Sequence, residues 1–333
     1  MNTEFPITPE ELITELPKYY NFTEPITCEL IRSALNDVYK TTVGNEVYFL
    51  RIGRLGIHEY QDYKDETAVI DFLNNNNVSV AAPVRCKDSN FVWKLDKMSG
   101  TGYCVLFYEA KHEASGDELI QAYNLGTTVA RLHVLSDEKD FIINRKPIDL
   151  TYLIQNPLEL IKPHFAKRVE EYNYICEAME KMSRFIQNNL KTEKPYYGFC
   201  HGDIQPSNYH YSGEKPVLFD FDCMGNGWRS HDIAVLACNN TFVHIARKNE
   251  IPYIESDEWK EFLKGYNSVR QLCEDEINAV NIFAAIRIVW VWGVHADLIK
   301  RGMPSPLFDD NYFKGLYDIF KYWYDRALEI IKN

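Results

Sequence analysis

Three oxygen-bearing side chains follow one another along the chain in the order acid, amide, acid. Asp203 stands in Cys200-His201-Gly202-Asp203, Asn208 comes five residues later, and Asp220 follows the apolar run Val217-Leu218-Phe219. In phosphoryl transfer an aspartate accepts the proton of the attacking hydroxyl, while an asparagine and a second aspartate bind the metal ions that bridge the phosphates. The spacing therefore predicts an ATP-dependent phosphotransferase site in which Asp203 is the base.

Magnesium is the metal that these side chains favour. Mg²⁺ takes oxygen ligands and shares its coordination shell with substrate phosphates, so we assign the Asn208 amide oxygen and the Asp220 carboxylate as ligands. Asp222 follows Asp220 by two residues, and on a strand both side chains would face one side. The Asp222 carboxylate would then either reach the metal ions or bind Arg229, and the sequence leaves both alternatives open.

Other residues of this segment are expected to hold the loop in place. His201 is predicted to fix the loop through hydrogen bonds of its ring rather than to act as a second base, and Gly202 allows a tight turn. Asp232 begins a helical run. Its carboxylate could accept amide hydrogens of the loop or serve as an ordinary N-terminal helix charge.

The elements that must position this site are of two kinds. From about Ile26 to Tyr108, runs of β-branched and aromatic residues alternate with turn residues, which predicts an antiparallel sheet of about five strands. The strands are predicted over 29–35, 38–43, 47–52, 91–95 and 103–108. One helix is predicted over 63–73. A shorter helix begins after Thr8, where a capping box precedes a proline, and Pro17 is expected to end it.

The remainder of the chain is predicted to be mainly helical, with the motif region on a loop followed by a short hairpin. Apolar positions recur at helical spacing over 119–135, 163–191, 259–273, 276–301 and 312–332. The predicted fold class is therefore α+β, with an N-terminal sheet lobe of residues 1–110 and a larger, mostly helical C-terminal lobe of residues 111–333. A nucleotide is expected in the crease between the lobes, since pockets form preferentially at domain interfaces.

Composition excludes several classes of partner. A net charge of −12 over 333 residues argues against nucleic-acid binding, which needs clustered Lys and Arg. The most apolar stretch, 283–299, carries Arg287 and Asp297 and is shorter than the roughly 20 residues of a membrane span, so we expect a buried helix. The eight cysteines form no C-x-x-C pair, and residues 1–6 lack the basic and apolar regions of a secretory signal. We therefore expect a cytoplasmic protein with reduced thiols.

One ion pair in the N-terminal lobe is a candidate for nucleotide binding. Arg51 ends an apolar strand and Glu66 lies on the following helix, so Glu66 could hold the guanidinium on the nucleotide phosphates; an ordinary surface pair is the alternative. The chain contains neither G-x-x-x-x-G-K-[ST] nor G-x-G-x-x-G, which removes two competing nucleotide-binding folds. The turn over 33–37 would have to cover the phosphates without glycine.

Residues 200–234 resemble the aminoglycoside phosphotransferase and choline kinase superfamily of kinase-like small-molecule phosphotransferases. His201-Gly202-Asp203 with Asn208 fits the signature H-G-D-x(4)-N, and Phe219-Asp220-Phe221-Asp222 fits the hydrophobic strand with I-D-F/W that follows it. Residues 227–234 resemble the next element, G-x(4)-D-[IL]-A. Residues 125–133 are similar to the L-G-x(3)-A-x-L-H helix of the superfamily.

This resemblance implies a bilobal protein-kinase-like fold, use of ATP or GTP with Mg²⁺, and a small-molecule alcohol as substrate. It also implies that Arg51 occupies the position of the phosphate-contacting base and Glu66 that of its partner. The hinge beside the nucleotide would be Phe107-Tyr108-Glu109, so Phe107 and Glu109 are further nucleotide-binding candidates. The glycine-free turn and the hinge sequence depart from the family pattern, which leaves open the choice between ATP and GTP.

The acceptor is harder to infer from the sequence. Arg287, Trp290, Trp292 and His295 lie on the predicted buried helix, in the region where relatives bind substrate. The candidate acceptors are an amino alcohol, an aminoglycoside, homoserine or a sugar-like alcohol. Aromatic faces can hold a cationic amine, which would favour a cationic alcohol such as choline or an aminoglycoside, although an aromatic stripe is more often plain core. Two rival functions remain: a protein Ser/Thr kinase of the same fold, and a catalytically silent nucleotide-binding regulator.

Overall fold

The chain folds into two compact units. The computed structural model describes residues 7–53, 56–97, 100–113, 115–139, 141–248, 251–303, 305–306 and 308–332, so residues 1–6, on which the expectation about a secretory signal rests, lie outside it. Unit 1 comprises Met1–His112, Ile142–Asn144 and Val217–Phe219, and unit 2 comprises Glu113–Phe141, Arg145–Pro216 and Asp220–Asn333. The division into functional lobes at residue 110 remains a prediction.

Unit 1 is an antiparallel sheet with two helices. In chain order its elements are α1 (Pro9–Tyr19), β1 (Ile26–Ser33), β2 (Asn36–Val43), β3 (Glu46–Gly53), α2 (Tyr60–Asn75), β4 (Val92–Lys97) and β5 (Gly100–Tyr108). The five described strands pair in the order β1-β2-β3-β5-β4, each antiparallel to its neighbour. The predicted α+β class is therefore confirmed. Each of the five predicted strands overlaps an observed strand, although β1 ends at Ser33 and not at residue 35, and β2 begins at Asn36 and not at residue 38.

The alternation of β3 places an arginine opposite the apolar core of this sheet. Leu50 and Ile52 pack in the cluster that includes Leu12 and Leu16 of α1. Because successive side chains of a strand point to opposite faces, Arg51 lies on the other face, directly across from Val105 of β5. The strand period alone thus directs this cation towards the face that α2 covers.

One boundary prediction for α1 is wrong. Thr8 and Glu11 form the predicted capping box, with the Thr8 amide donating to Glu11 Oε2 at 2.8 Å. Pro17, however, lies inside the helix, which continues to Tyr19. The proline falls in the last turn, where the Tyr20 amide still donates to the Leu16 carbonyl at 3.0 Å, so the missing N–H of Pro17 does not end the helix there.

Unit 2 is mainly helical and holds the motif region among its short strands. In chain order its elements are α3 (Glu118–Glu138), α4 (Asn156–Ile161), α5 (Val169–Asn189), β6 (Tyr197–Cys200), β7 (Tyr209–Ser212), β8 (Lys215–Leu218), β9 (Gly225–Trp228), α6 (Arg229–Lys248), α7 (Asp257–Asn267), α8 (Glu274–Lys300) and α9 (Asp310–Ile331). The predicted hairpin is β7 and β8. The pairing of β6 with β9 was not predicted, because each strand has four residues, too few to show a period.

Helix α8 is the apolar helix of unit 2. Among the described residues it is the one helix long and apolar enough to cross a membrane, and 67% of its most apolar window is buried inside the protein. Phe283, Ile286 and Val289 have no exposed surface. The prediction of a buried helix over this segment is confirmed.

Two glycines let α3 and α7 approach at backbone distance. A Cβ atom on Gly126 of α3 would overlap the carbonyl oxygen of Phe262, and one on Gly265 of α7 would overlap that of Tyr123. The close approach brings side chains of the two helices together: the Tyr266 hydroxyl lies 2.7 Å from Nδ1 of His133. The glycines therefore set a contact on which the site depends.

Replacing Gly126 by alanine should destabilise the protein, whereas the same change in an open helix should not. We expect Gly126→Ala to lower the free energy of unfolding by about 1–3 kcal/mol, because the added methyl overpacks the helix contact. Gly315 of α9 has nothing within 4 Å of a Cβ position, so Gly315→Ala should raise that free energy by about 0.5–1 kcal/mol. Urea unfolding of both variants measures the difference, and equal effects would refute the close-packing argument.

Candidate active site

The loop after β6 turns sharply before it presents Asp203. Gly202 has φ +83°, and a Cβ atom there would overlap the carbonyl oxygen of Cys223. Only glycine combines this backbone conformation with so close an approach. The turn places the loop against the segment that carries Asp220 and Asp222.

A buried carboxylate holds this turn. Asp232, at the first turn of α6, accepts the amide hydrogens of His201 and Gly202, each at 2.7 Å and each on a separate carboxylate oxygen. The predicted role of Asp232 is thus confirmed. His201 also contributes as predicted, because its Nδ1 lies 3.3 Å from the Asp203 amide and its ring packs 4.3 Å from that of Phe221.

Histidines surround Asp232 and keep it ionised. Burial alone would raise the pKa of Asp232, but the hydrogen bond from His133 and the electrostatic effects of the three nearby histidines lower it to about 2. Burial lowers the pKa of His133 to about 4, against the raising effect of Asp232, so this ring is neutral at physiological pH. Its Nε2 lies 3.2 Å from Asp232 Oδ2. A neutral His133 ring that donates from Nε2 gives both this nitrogen and the Asp232 carboxylate a hydrogen-bond partner.

Asp203 and Asn208 are brought together directly. The Asn208 side-chain amide donates to Asp203 Oδ2 at 2.9 Å and to the Asp203 backbone carbonyl at 2.9 Å. Gln205 donates to the same Oδ2 at 2.9 Å, and Arg287 donates to Oδ1. The Asp203 side chain is 14% exposed, so its carboxylate is oriented by three donors and still reaches the surface.

Asp220 and Asp222 lie after β8, but not on a strand. Asp220 has φ +62°, and Asp222 lies in a 3₁₀ turn over Phe221–Cys223. The strand alternation invoked for their side chains is therefore wrong, since the chain leaves the extended conformation after Leu218. Pairing of Asp222 with Arg229 is also wrong.

The two arginines of this region have other partners. Arg229 is paired with Asp137 at the end of α3. Arg145 instead approaches Asp222, with Nη1 donating to its backbone carbonyl at 2.9 Å and Nη2 lying 4.0 Å from its carboxylate. Arg145 is separated from Asp222 by 77 residues, which is why no local pattern indicated it.

The acidic side chains converge around one thiol. Burial raises the pKa of Cys223 well above its ordinary value, and the charges of Asp203, Asp222 and Asp220 raise it further, while Arg287 lowers it. All three carboxylates therefore lie within electrostatic range of this thiol, whose backbone carbonyl meets the loop at Gly202. The predicted base and the predicted acidic metal ligands lie in one neighbourhood.

The chemistry of this donor set fits a hard divalent cation. The Asn208 amide nitrogen is used in bonds to Asp203, which directs the amide oxygen elsewhere; Ser207 donates to that oxygen at 3.2 Å. Amide and carboxylate oxygens are the ligands that Mg²⁺ prefers. Assignment of Asn208, Asp220 and Asp222 as metal ligands remains a prediction.

Arg287 is the site residue whose role the sequence did not reveal. Its guanidinium pairs with the Asp203 carboxylate and lies 4.3 Å from the centre of the Trp290 ring. Trp292, two residues further, instead packs in the core at 5.3 Å from the Phe165 ring. The helical spacing had placed these side chains on one buried helix, but it could not show that Arg287 contacts the base.

The nucleotide-binding candidates of unit 1 form a separate group. Arg51 Nη2 lies 2.5 Å from Glu66 Oε2, and both side chains are buried, so the alternative of a surface ion pair is wrong. The Arg51 guanidinium lies 5.3 Å from the Phe107 ring centre, and Glu109 is half-buried after β5. Contact of these residues with a nucleotide stays a prediction.

A second cluster in unit 2 has the side chains of a metal site but the bonding of a structural network. Ligand atoms of His133, Cys200 and Asp232 lie within 4.8 Å of one another, all buried. Burial raises the pKa of Cys200 well above its ordinary value, and its thiol donates to the Trp228 carbonyl at 3.5 Å. A protonated thiol is a poor metal ligand, so this cluster supports the loop.

Comparisons with known proteins agree with this geometry. The sequence model of the "Phosphotransferase enzyme family" matches residues 27–296. An uncharacterised protein of Synechocystis sp. is 29% identical over 92% of this chain and 83% of its own length. Amicoumacin kinase of Bacillus subtilis is 21% identical over 86% of this chain and 84% of its own length.

Solved structures show the same fold. An amicoumacin kinase in complex with AMP-PNP, Ca²⁺ and Ami has a TM-score of 0.76 at 20% identity, covering 96% of this chain and 94% of its own. A microcompartment-associated aminopropanol kinase has a TM-score of 0.77 at 17% identity, covering 97% of this chain and 98% of its own. The predicted kinase-like fold class is confirmed.

Acid should destabilise the protein through its buried histidines. His133 and His231 each have a pKa of about 4 when folded, against an ordinary value of 6.5, so the unfolded chain binds protons that the folded chain does not. Their stabilisation is complete above about pH 6.5 and is lost as the pH falls towards about 4, with a slope of up to ~1.4 kcal/mol per pH unit for each group. Below about pH 4, protonation of Asp232 adds to the loss.

Urea unfolding between about pH 7 and about pH 4.5 measures this slope. We expect His231→Phe, which keeps an aromatic ring against Phe283, to reduce the slope by about one proton. An unchanged slope in that variant would contradict the assignment of a neutral, buried His231.

Proposed function

The chain belongs to the phosphotransferase enzyme family, and we propose that it transfers the terminal phosphoryl group of ATP or GTP, with Mg²⁺, to a hydroxyl of a small molecule. The predicted family and the prediction of a small-molecule phosphotransferase are confirmed by this membership. The observation that carries the finer proposal is the Asp203 carboxylate, oriented by three donors in the neighbourhood of Asp220 and Asp222. The names of amicoumacin kinase and aminopropanol kinase support a small-molecule acceptor.

Asp203 accepts the proton of the acceptor hydroxyl. An ionised carboxylate offers about four lone-pair sites, and the bonds from Gln205, Asn208 and Arg287 use three of them. The remaining site can accept the hydroxyl hydrogen. The three donors also fix the direction of that lone pair, and such positioning supplies most of the catalysis in this class of reaction.

The metal-binding role falls to Asn208, Asp220 and Asp222. When bound, Mg²⁺ would supply the positive charge that neutralises the transferring phosphoryl group. Asn208 links the two halves of the site, because its amide nitrogen donates to the base while its amide oxygen remains for the metal. Any displacement of this side chain would disturb both functions.

Arg51 is the proposed nucleotide-phosphate ligand of unit 1. Glu66 holds one terminal nitrogen of its guanidinium at 2.5 Å, and a guanidinium fork can bind carboxylate and phosphate oxygens together. Phe107 and Glu109 are proposed to line the nucleotide, on the support of family membership and their position at the end of β5. This assignment suits ATP and GTP equally.

Removal of the proposed base should lower turnover without weakening nucleotide binding. We expect Asp203→Asn to lower kcat by about 10² to 10⁴, because an amide cannot take the hydroxyl proton although it can still accept the bond from Arg287. The affinity for AMP-PNP with Mg²⁺, measured by calorimetry, should stay within about threefold of the parent value. The exposed Asp257→Asn variant is the control for turnover. An unchanged kcat in Asp203→Asn would remove Asp203 from the base role.

Titration with Mg²⁺ should distinguish the two acidic ligands. We expect Asp220→Asn to raise the Mg²⁺ concentration for half-maximal turnover at least about tenfold, since a lost carboxylate ligand weakens binding of a hard cation. The same shift in Asp222→Asn would make Asp222 a ligand, whereas an unshifted titration would assign its carboxylate to Arg145. Chelation by EDTA should abolish turnover in every variant, and turnover that survives chelation would contradict the metal requirement.

A further inference from the structure

Arg287 places a fixed cation beside the proposed base. It donates to Asp203 Oδ1, and only 5% of its side chain is exposed. Proton acceptance by Asp203 does not require this neighbour, because two other donors already orient the carboxylate. Burying a guanidinium is costly unless its charge and its donors are satisfied. Asp203 pairs with the charge of Arg287, and the remaining question is what its other donors bind.

Two buried polar groups near Asp203 lack such a partner among the described residues. The Nε atom of Arg287 makes no hydrogen bond, and neither does either ring nitrogen of His231, which is 2% exposed. The His231 ring packs against Phe283, one helical turn before Arg287 on α8, so His231 and Arg287 lie on the same side of this helix. Buried polar groups in folded proteins are usually hydrogen-bonded, so one without a partner calls for an explanation such as a functional role or a bound water or ion.

One face of α8 lies towards these groups. Phe283, Arg287 and Trp290 follow one another at helical spacings of four and three residues, which places them on the same face. Phe283 packs edge-on against His231 at 5.8 Å, and Trp290 lies against the Arg287 guanidinium at 4.3 Å. The Trp290 ring thus lies against the guanidinium, while the Nε atom of Arg287 has no hydrogen-bond partner.

This arrangement disfavours a cationic group at the reacting end of the acceptor. The face of Trp290 that could hold an ammonium by cation–π attraction already carries Arg287. Asp203, which could attract an ammonium, is already paired with the same guanidinium. An acceptor amine would therefore compete with a tethered cation for both of its attractive contacts and would be repelled by it.

We propose that Arg287 anchors the acceptor through an anionic oxygen, and that the acceptor is an alcohol that also carries an acidic group such as a carboxylate. The inference rests on the proposed function, since it assumes that Asp203 is the base. An oxygen anion on the Arg287 side would complete the donor of that side chain with a charge-assisted bond and hold the hydroxyl next to Asp203. The neutral ring of His231 offers a further donor to the same group.

A matched pair of acceptors tests the proposal. L-Homoserine and 3-amino-1-propanol differ by one carboxylate and share the amine and the primary hydroxyl. ADP release is measured for both with the parent protein, Arg287→Met, Arg287→Lys and Arg326→Met, the last removing a partly exposed arginine that pairs with Glu255. The readout is the ratio of kcat/KM for homoserine to that for aminopropanol. Loss of Asp203 orientation alone lowers both values and leaves this ratio unchanged.

In the parent protein we expect kcat/KM for homoserine to exceed that for aminopropanol by about tenfold or more, which is the effect on binding of one charge-assisted hydrogen bond. In Arg287→Met this ratio should fall to about one, mainly because KM for homoserine rises. Arg287→Lys should retain part of the ratio, and Arg326→Met all of it. A second pair, glycerate and ethylene glycol, repeats the comparison without an amine.

The outcomes separate the two levels of inference. Phosphorylation of both members of a pair at equal efficiency, or a ratio that Arg287→Met leaves unchanged, overturns the role of Arg287 while the phosphotransferase stands. Turnover confined to amino alcohols and aminoglycosides does the same. If no acceptor, acidic or cationic, supports ADP release beyond that of Asp203→Asn, the proposed function fails and the acceptor class with it.

Discussion

The buried carboxylate of Asp232 determines where the catalytic loop lies. Its two oxygens accept the amide hydrogens of His201 and Gly202, so the residue before Asp203 is fixed in position and direction. A carboxylate that accepts backbone amides keeps its charge even when buried, and removing one partner of such a pair typically costs about 3–5 kcal/mol. The Asp203 side chain has a defined orientation because the backbone just before it is held in place by Asp232.

That anchor depends in turn on the packing of two helices. His133 donates to Asp232 from α3, and Tyr266 of α7 fixes the His133 ring from the other side. The two rings meet because Gly126 and Gly265 allow the helix backbones to touch. The packing of α3 on α7 therefore positions His133, His133 positions Asp232, and Asp232 positions the loop that carries Asp203.

Much of this could be predicted from the sequence, because the signals are local. The strands of unit 1 are short runs of β-branched and aromatic residues, and the candidate site residues Asp203, Asn208 and Asp220 lie within a motif of fixed spacing. For Asp232 the sequence offered acceptance of loop amides as one of two roles, and the structure shows that role across 31 and 30 residues. The motif predicts which residues belong to the site, but it does not decide their contacts.

The contacts that the sequence did not predict join residues far apart in the chain. Arg287 contacts Asp203 across 84 residues and Arg145 contacts Asp222 across 77, and no period within one element encodes such a contact. The predicted strand conformation at Asp222 was wrong because the backbone leaves the extended conformation twice after Leu218, first at Asp220 and then in the 3₁₀ turn. An apolar run in the sequence does not show at which residue the strand ends. Pro17 shows the same limit at a helix end, where a lost hydrogen bond costs too little to decide the boundary.

The positions of the charges suggest how the site divides its work. Asp220 and Asp222 offer negative charge on the 3₁₀-turn side, where a divalent cation would neutralise it, whereas the charge of Asp203 is balanced by Arg287 of the chain itself. A base that relied on the acceptor for its counter-charge would be strongly selective for amines. A base whose charge is already balanced by Arg287 does not need an amine on the acceptor. The preference for one acceptor over another would then depend on which group of the acceptor binds the Arg287 guanidinium. On the proposed function, one buried arginine on α8 would thus be enough to change the kind of alcohol that is held next to Asp203.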